Sequence, residues 1–321
     1  MRSILYFGRV AGKFFFSYLS SGWGRFIHFH WYAPPSVFSN ERELYNTVPP
    51  LFSSLYFVDT GIRTGYENME CDRRLLEAFS DGSFQRRYGE GCALWRLYGW
   101  RPHAISLGYS QDAEAIDAER CRQEGIDVVR RPTGGRAVLH ADEFTYSFFA
   151  DSCEPNAELY RSVHEVIRLA LLELGVTADF CRSALPSAVS GGSSLPAACF
   201  SASARSELQV MGRKLVGSAQ RRSGRALLQH GSLPLSGRHG DLSDYIAIPD
   251  PDFGVSLKQE LLRKAVSLEE ILPRRLGHNE LAGLLKDAAE CHYGMLAAVI
   301  GSEEIDEFIH GSLTGRPPSM K

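Results

Sequence analysis

"IDVVRRPTGGRAVLHADEFTYSFFA", residues 126–150, is the stretch on which the fold turns. It begins as a β-branched strand, meets two arginines and a Pro-Thr-Gly-Gly turn, and returns from Ala137 to Ala150 as strand-rich sequence. Gly134 and Gly135 can adopt positive φ and admit a ligand to bare backbone amides. Arg130 and Arg131 offer fixed donors to a carboxylate, a phosphate or an acidic protein surface. The same residues fit an ordinary strand–turn–strand with solvated arginines. They match neither the phosphate loop ending in GK[ST] nor GxGxxG.

Upstream, "SLYFVDTGIRTG" (54–65) reads as a strand and turn. Residues 68–79 carry Met69, Leu75, Leu76 and Phe79 on one helical face, with Asn68 as N-cap. Strands follow at 93–100 and 103–111, then a short helix over 117–125 closed by Gly125. Downstream, residues 156–174 form an amphipathic helix, and the Ser/Ala/Gly/Pro-rich run 182–197 reads as a mobile loop. "SELQV", the turn "MGRK" and "LVGSAQRR" read as a hairpin (206–222), and "ALLQHGSLPL" (226–235) as a further strand. Helices are expected over 256–271, 279–297 and 302–309. The fold class is mixed α/β (α+β): a mixed β-sheet flanked by helices, with a small helical C-terminal part. The core domain is placed at 54–250, the helical part of the same domain at 251–312 and a flexible tail at 313–321.

Residues 1–53 stand apart. Arg2, Arg9, Lys13 and Arg25 precede the first acidic residue, Glu41, and flank the aromatic "FFFSYLSSGWG". Its apolar runs are too short to span a bilayer and no signal-peptide pattern follows. A basic, aromatic membrane-surface segment is conceivable; a poorly ordered extension is the reading preferred, with no membrane partner expected.

The 321 residues, 44% hydrophobic and 23% charged, suit a globular protein. A formal net charge of −3 gives no excess of cations for nucleic acid. Seven scattered cysteines without a CxxC pair favour reduced thiols in the cytoplasm over disulfides, and no metal site is expected.

Three groups of residues can carry chemistry. Cys199 and Lys214 are fifteen residues apart. A thiol of reference pKa ~8.5 becomes a nucleophile beside a cation or a base, and a lysine can serve as either. A buried small cysteine and an exposed turn lysine are the alternative. Gly217, Ser218 and Ala219 are small residues in a strand, which marks close approach by something else. His140 and His230 are either acid/base groups or hydrogen-bonded structural histidines.

Taken in order, "YFVDTG", "LYGW", "AISLGYSQ", "GIDVVRRPTGGRAVLH" and "GRKLVGSAQRR…LLQHGSLPL" resemble the biotin/lipoate protein ligase superfamily over about residues 54–240. The branch they are most similar to is the cysteine-dependent octanoyltransferases. The resemblance implies a catalytic core like that of class II tRNA synthetases and biotin ligases, with an acyl chain held beside 130–140. It places Cys199 on the acyl-accepting cysteine and Lys214 on the lysine of the reaction centre. Arg130, Arg131, Thr133, Gly134, Gly135, Arg136, His140, Gly217, Ser218, Ala219 and His230 become substrate-binding candidates. It implies octanoyl-acyl carrier protein as donor, and as acceptor a lysine on the glycine-cleavage H protein or a 2-oxoacid dehydrogenase E2 domain. No cofactor is implied. Arg136 replaces the third glycine of the ligases, and Ala141 stands where the transferase branch has aspartate after the histidine. The rival within the superfamily is an ATP- and Mg-dependent lipoate ligase working through lipoyl-adenylate. A non-catalytic acyl- or partner-binding module is the rival outside enzymology.

Overall fold

A strand buried on both faces must lie inside a sheet covered on both sides. Cys92–Trp100 and Glu143–Asp151 meet that condition almost without interruption. The computed structural model describes residues 4–10, 13–19, 51–181, 207–247 and 251–311. Its strands in chain order are β1 (Ile4–Val10), β2 (Lys13–Leu19), β3 (Ser54–Arg63), β4 (Cys92–Trp100), β5 (Ala104–Leu107), β6 (Asp127–Arg130) and β7 (Val138–His140). Then come β8 (Glu143–Asp151), β9 (Asp179–Phe180), β10 (Leu208–Val210), β11 (Arg213–Lys214), β12 (Gly217–Ser223), β13 (Ala226–Pro234) and β14 (Ala297–Val299). The helices are α1 (Gly65–Ser80), α2 (Ser83–Tyr88), α3 (Ala118–Gln123), α4 (Asn156–Glu173), α5 (Pro251–Lys264), α6 (Leu268–Ile271), α7 (His278–Tyr293) and α8 (Ser302–Gly311).

The main sheet has six strands in the order β12-β13-β8-β4-β3-β14. β3 runs parallel to β4 and β14, and the remaining neighbours are antiparallel. Alternation along β8 sends Phe144, Tyr146 and Phe148 to a core closed by α4 and α7, and Phe149 to a second core closed by α1, α2 and α8. Two smaller sheets, β6-β5-β7 and β11-β10-β9, stand beside it.

Several boundaries differ from the sequence reading. Helix α1 starts at a Thr64 N-cap completed by Glu67 in a capping box. Asn68 is instead buried inside α1, where its Nδ2 donates to Gly99 O at 2.9 Å and its Oδ1 accepts from Arg96 at 2.6 Å. The turn of the β10–β11 hairpin is only Met211–Gly212, both at positive φ (51° and 73°), the two-residue geometry that matches strand twist. β12 leaves that hairpin and pairs with β13 instead. The helix expected over 256–271 is two helices separated at Ala265–Ser267, and β14 occupies the end of the segment read as helix 279–297. The core begins before residue 54, since Phe52 is buried against Phe148 and Tyr293. Within the expected N-terminal extension, β1 and β2 pair antiparallel. The loop 182–197 and the tail 313–321 lie outside the described residues.

Candidate active site

Between the main sheet and the β6-β5-β7 sheet lies a cleft enclosing about 470 Å³, counted out to solvent. Tyr98 and Trp100 of β4, Thr145 of β8 and Met69 of α1 supply one wall, and Ser106 and His140 the other. Of the candidates from sequence, Arg131, His140, Lys214, Gly217, Ser218, Ala219 and His230 line it. Arg130, Thr133, Gly134, Gly135 and Arg136 do not, although Thr133 is one hydrogen bond behind His230.

The 131–137 segment leaves the ladder, so its carbonyls need donors from elsewhere. Arg131 supplies two of them and Arg221 a third, at Pro132 O (2.9 Å), while Arg130 ties down the neighbouring 108–111 turn. Arg130 reaches Gly108 O (2.8 Å), Tyr109 O (3.0 Å) and Gln111 O (2.7 Å). Buried Arg131 binds Ser106 O (2.8 Å), Gly134 O (2.9 Å) and Arg136 O (2.8 Å). The planar forks of both guanidiniums hold main chain, and Arg131 also lines the cleft. The main chain also packs closely on itself here. A Cβ on Gly108 would sit 1.9 Å from Gly135 O, and Gly135 itself has φ +101°.

Behind the cleft is a buried charged network. Asp72 and Arg96 are both fully buried, with 2.7 Å between Oδ1 and Nη1. The other Asp72 oxygen accepts from Ser147 at 2.7 Å and faces His230 Nδ1 at 3.0 Å, while His230 Nε2 meets Thr133 Oγ1 at 2.6 Å. Burial alone raises the Asp72 carboxyl, but the Arg96 charge and the bond to His230 outweigh it and hold it below the usual range. Burial pushes His230 the other way, below an ordinary histidine, against the pull of Asp72. His140 is held by Ser106 Oγ at Nε2 (2.7 Å) and Glu143 Oε1 at Nδ1 (2.6 Å), with its ring stacked 4.0 Å from Trp100. Both histidines are thus oriented at both nitrogens and border the cleft. Asp142, which follows Ala141, accepts from Arg275 at 2.5 Å.

Lys214 is not an exposed turn residue. The register Gln209↔Lys214 places Glu207 diagonally across the hairpin on the same face. Its Oε1 lies 2.7 Å from Lys214 Nζ, and each side chain is 3% exposed. Sequence reasoning missed Glu207; the alternation Glu207-Leu208-Gln209-Val210 opposite a two-residue turn carried the signal. The strand itself is pinned from outside: Val266 N donates to Lys214 O at 2.9 Å, and Arg213 donates to Leu262 O and Ala265 O at 3.2 Å each. On β12, the Ser218 hydroxyl meets Tyr146 OH (2.8 Å) and His164 Nε2 (2.9 Å). A Cβ on Gly231 opposite would come within 2.4 Å of Ser218 Oγ, which explains the small residues there.

Cys199 lies outside the described residues. Among the described cysteines, none lines the cleft. Cys71, Cys92 and Cys121 are buried, and burial pushes their thiols up, Cys92 to about 12 and Cys121 to about 11. No cluster able to hold a metal ion occurs among the described residues, and no helix among them is long and apolar enough to cross a membrane.

Residues 64–290 match the family model of the lipoyl protein ligase A/B catalytic domain. The octanoyltransferase LipM of Moorella thermoacetica is 36% identical over 265 residues, covering 80% of this chain and 89% of that protein. That of Exiguobacterium sp. is 38% identical over 229 residues, covering 67% and 78%. A solved bi-partite lipoate protein ligase from Thermoplasma acidophilum superposes with a TM-score of 0.64 at 16% identity, over 82% of this chain and 93% of that one.

Proposed function

The chain belongs to the lipoyl protein ligase A/B catalytic domain family, and from that premise we propose that it is an octanoyltransferase of lipoate biosynthesis working through an acyl-cysteine. The observation that carries this reading is sustained identity, 36% over nine-tenths of a curated octanoyltransferase. A largely apolar-walled cleft with a buried lysine at its edge supports it.

In this mechanism the Cys199 thiolate attacks the thioester carbonyl of octanoyl-acyl carrier protein. The C–S bond to the carrier breaks and the carrier leaves as thiolate, taking up a proton. The ε-amine of a lysine on the acceptor then attacks the acyl-cysteine, releases Cys199 and loses a proton to solvent. Thioester exchange is nearly isoenergetic, and amide formation makes the second half downhill. Lys214, paired with Glu207 at 2.7 Å, donates to the oxygen on which charge develops. Support for Cys199 as the acceptor comes from its place eight residues before Glu207 and from the fact that no described cysteine lines the cleft. The reaction uses no nucleotide, a reading supported by Arg130 and Arg131 being engaged with carbonyls. Burial of each CH₂ is worth ~0.8 kcal/mol, so chain-length selection is graded. The acceptor is the glycine-cleavage H protein or a 2-oxoacid dehydrogenase E2 domain, and the setting is the cytoplasm.

The test is to incubate the protein with octanoyl-acyl carrier protein without ATP and weigh it by intact mass spectrometry. An octanoyl adduct that transfers to an acceptor domain and is absent from Cys199→Ala is expected. An adduct that persists in Cys199→Ala, or transfer that requires ATP, defeats the reading.

A further inference from the structure

We propose that Glu207 is a positioning residue of the transfer site, its buried carboxylate fixing where the Lys214 ammonium points. The role in turnover rests on the octanoyltransferase reading; the geometry of the pair does not. Lysine is a point charge on a four-carbon stem and has many rotamers of similar energy. Inside a protein such a stem needs a counter-charge that selects one of them. Glu207 is in place to do so: it is on the same face of the hairpin, 2.7 Å from Nζ, with both side chains 3% exposed. The surroundings make the choice matter. Arg131, a second cation, lines the same cleft, so a lysine without an anion beside it would be driven outward. An ammonium has three N–H groups. With one directed to Glu207, the fan of the remaining two is set relative to the cleft wall. The backbone is fixed as well, through Val266 N to Lys214 O at 2.9 Å. Ammonium position is therefore defined at both ends of the side chain.

The experiment compares the parent with Glu207→Gln, Glu207→Asp and Glu207→Ala. Glu207→Gln lowers kcat by about a hundredfold, the order seen when a positioned transition-state donor is lost. Its KM for the octanoyl donor stays within about twofold of the parent. Glu207→Asp recovers part of the loss, and formate added to Glu207→Ala raises kcat without moving its melting point. Independently of octanoyl chemistry, an amine-reactive label read by peptide mapping modifies Lys214 faster in Glu207→Gln than in the parent. A folded Glu207→Gln with parental kcat and unchanged labelling overturns the proposal. If Glu207→Gln unfolds, absence of both formate rescue and recovery in Glu207→Asp overturns it too. If the parent forms no octanoyl adduct while Lys214 labelling still rises in Glu207→Gln, the transfer reading fails and the hold on Lys214 stands.

Discussion

Adding one methyl group at Gly108 tests the account of the Thr-Gly-Gly segment. A Cβ there would lie 1.9 Å from Gly135 O, 2.8 Å from its carbonyl carbon and 3.2 Å from its nitrogen. Real Cβ contacts do not fall below 3.0 Å, so the segment has to retreat by about 1.1 Å. The obstacle is main chain, and Arg131 ties that main chain to Ser106 through Gly134 O and Arg136 O, so no side chain can rotate aside. Overpacking typically costs about 1–3 kcal/mol, and this rigid site belongs at the upper end. At about 2–4 °C per kcal/mol, Gly108→Ala lowers Tm by about 6–12 °C. The retreat also drags Thr133 from His230, and a misplacement of about 1 Å can cost a hundredfold in rate. Two neighbours are controls. Gly135→Ala meets the strain of φ +101°, about 1–3 kcal/mol. Gly134→Ala meets nothing within 4 Å among the described residues and has an unstrained φ, so it stays within about 0.5 kcal/mol of the parent. Thermal melts with turnover assays on the three variants give the order. A Gly108→Ala melt within about 1 °C of the parent, or a Gly134→Ala as damaged as Gly108→Ala, refutes the reasoning.

Asp72→Asn leaves the Arg96 guanidinium buried without an anion and destabilises by about 3–5 kcal/mol in urea titration, and Asp72→Asn/Arg96→Met is less damaged than the single change. Equal loss in single and double variants would remove the charge-pairing explanation. Acidification destabilises the fold below about pH 6.5. Burial depresses His230, His239 and His292, so between their folded values and that of a free histidine the unfolded chain binds more protons, and stability falls as pH falls. A urea midpoint that is the same at pH 7.5 and pH 5.5 would contradict this.

The strands and the amphipathic helices were readable because burial imposes period two or 3.6 on the residues themselves. Helix α4 was found from Leu159, Val163, Val166, Ile167, Ala170 and Leu171, all of which are buried. The cap of α1 was misplaced because Asn68 has cap chemistry locally; its actual partners, Gly99 and Arg96, are a strand away. β14 is a short edge strand whose identity comes from pairing with β3, which local pattern does not encode. Lys214 was legible as a residue and illegible as a pair, because Glu207 becomes its neighbour only once the hairpin register exists. Arg130 and Arg131 show the converse: their charge was legible, but not that their forks hold carbonyls of residues 106–111 and, for Arg131, of Gly134 and Arg136.

The main-chain bond from Val266 to Lys214, with the two from Arg213 to the end of α5, gives the C-terminal helices a duty that surface packing would not suggest. A fragment ending before Pro251 would keep every strand that walls the cleft, yet release the lysine strand from its outer anchor. Shortened forms of this enzyme, and chimaeras joined at that boundary, should therefore carry the helices along with the sheet.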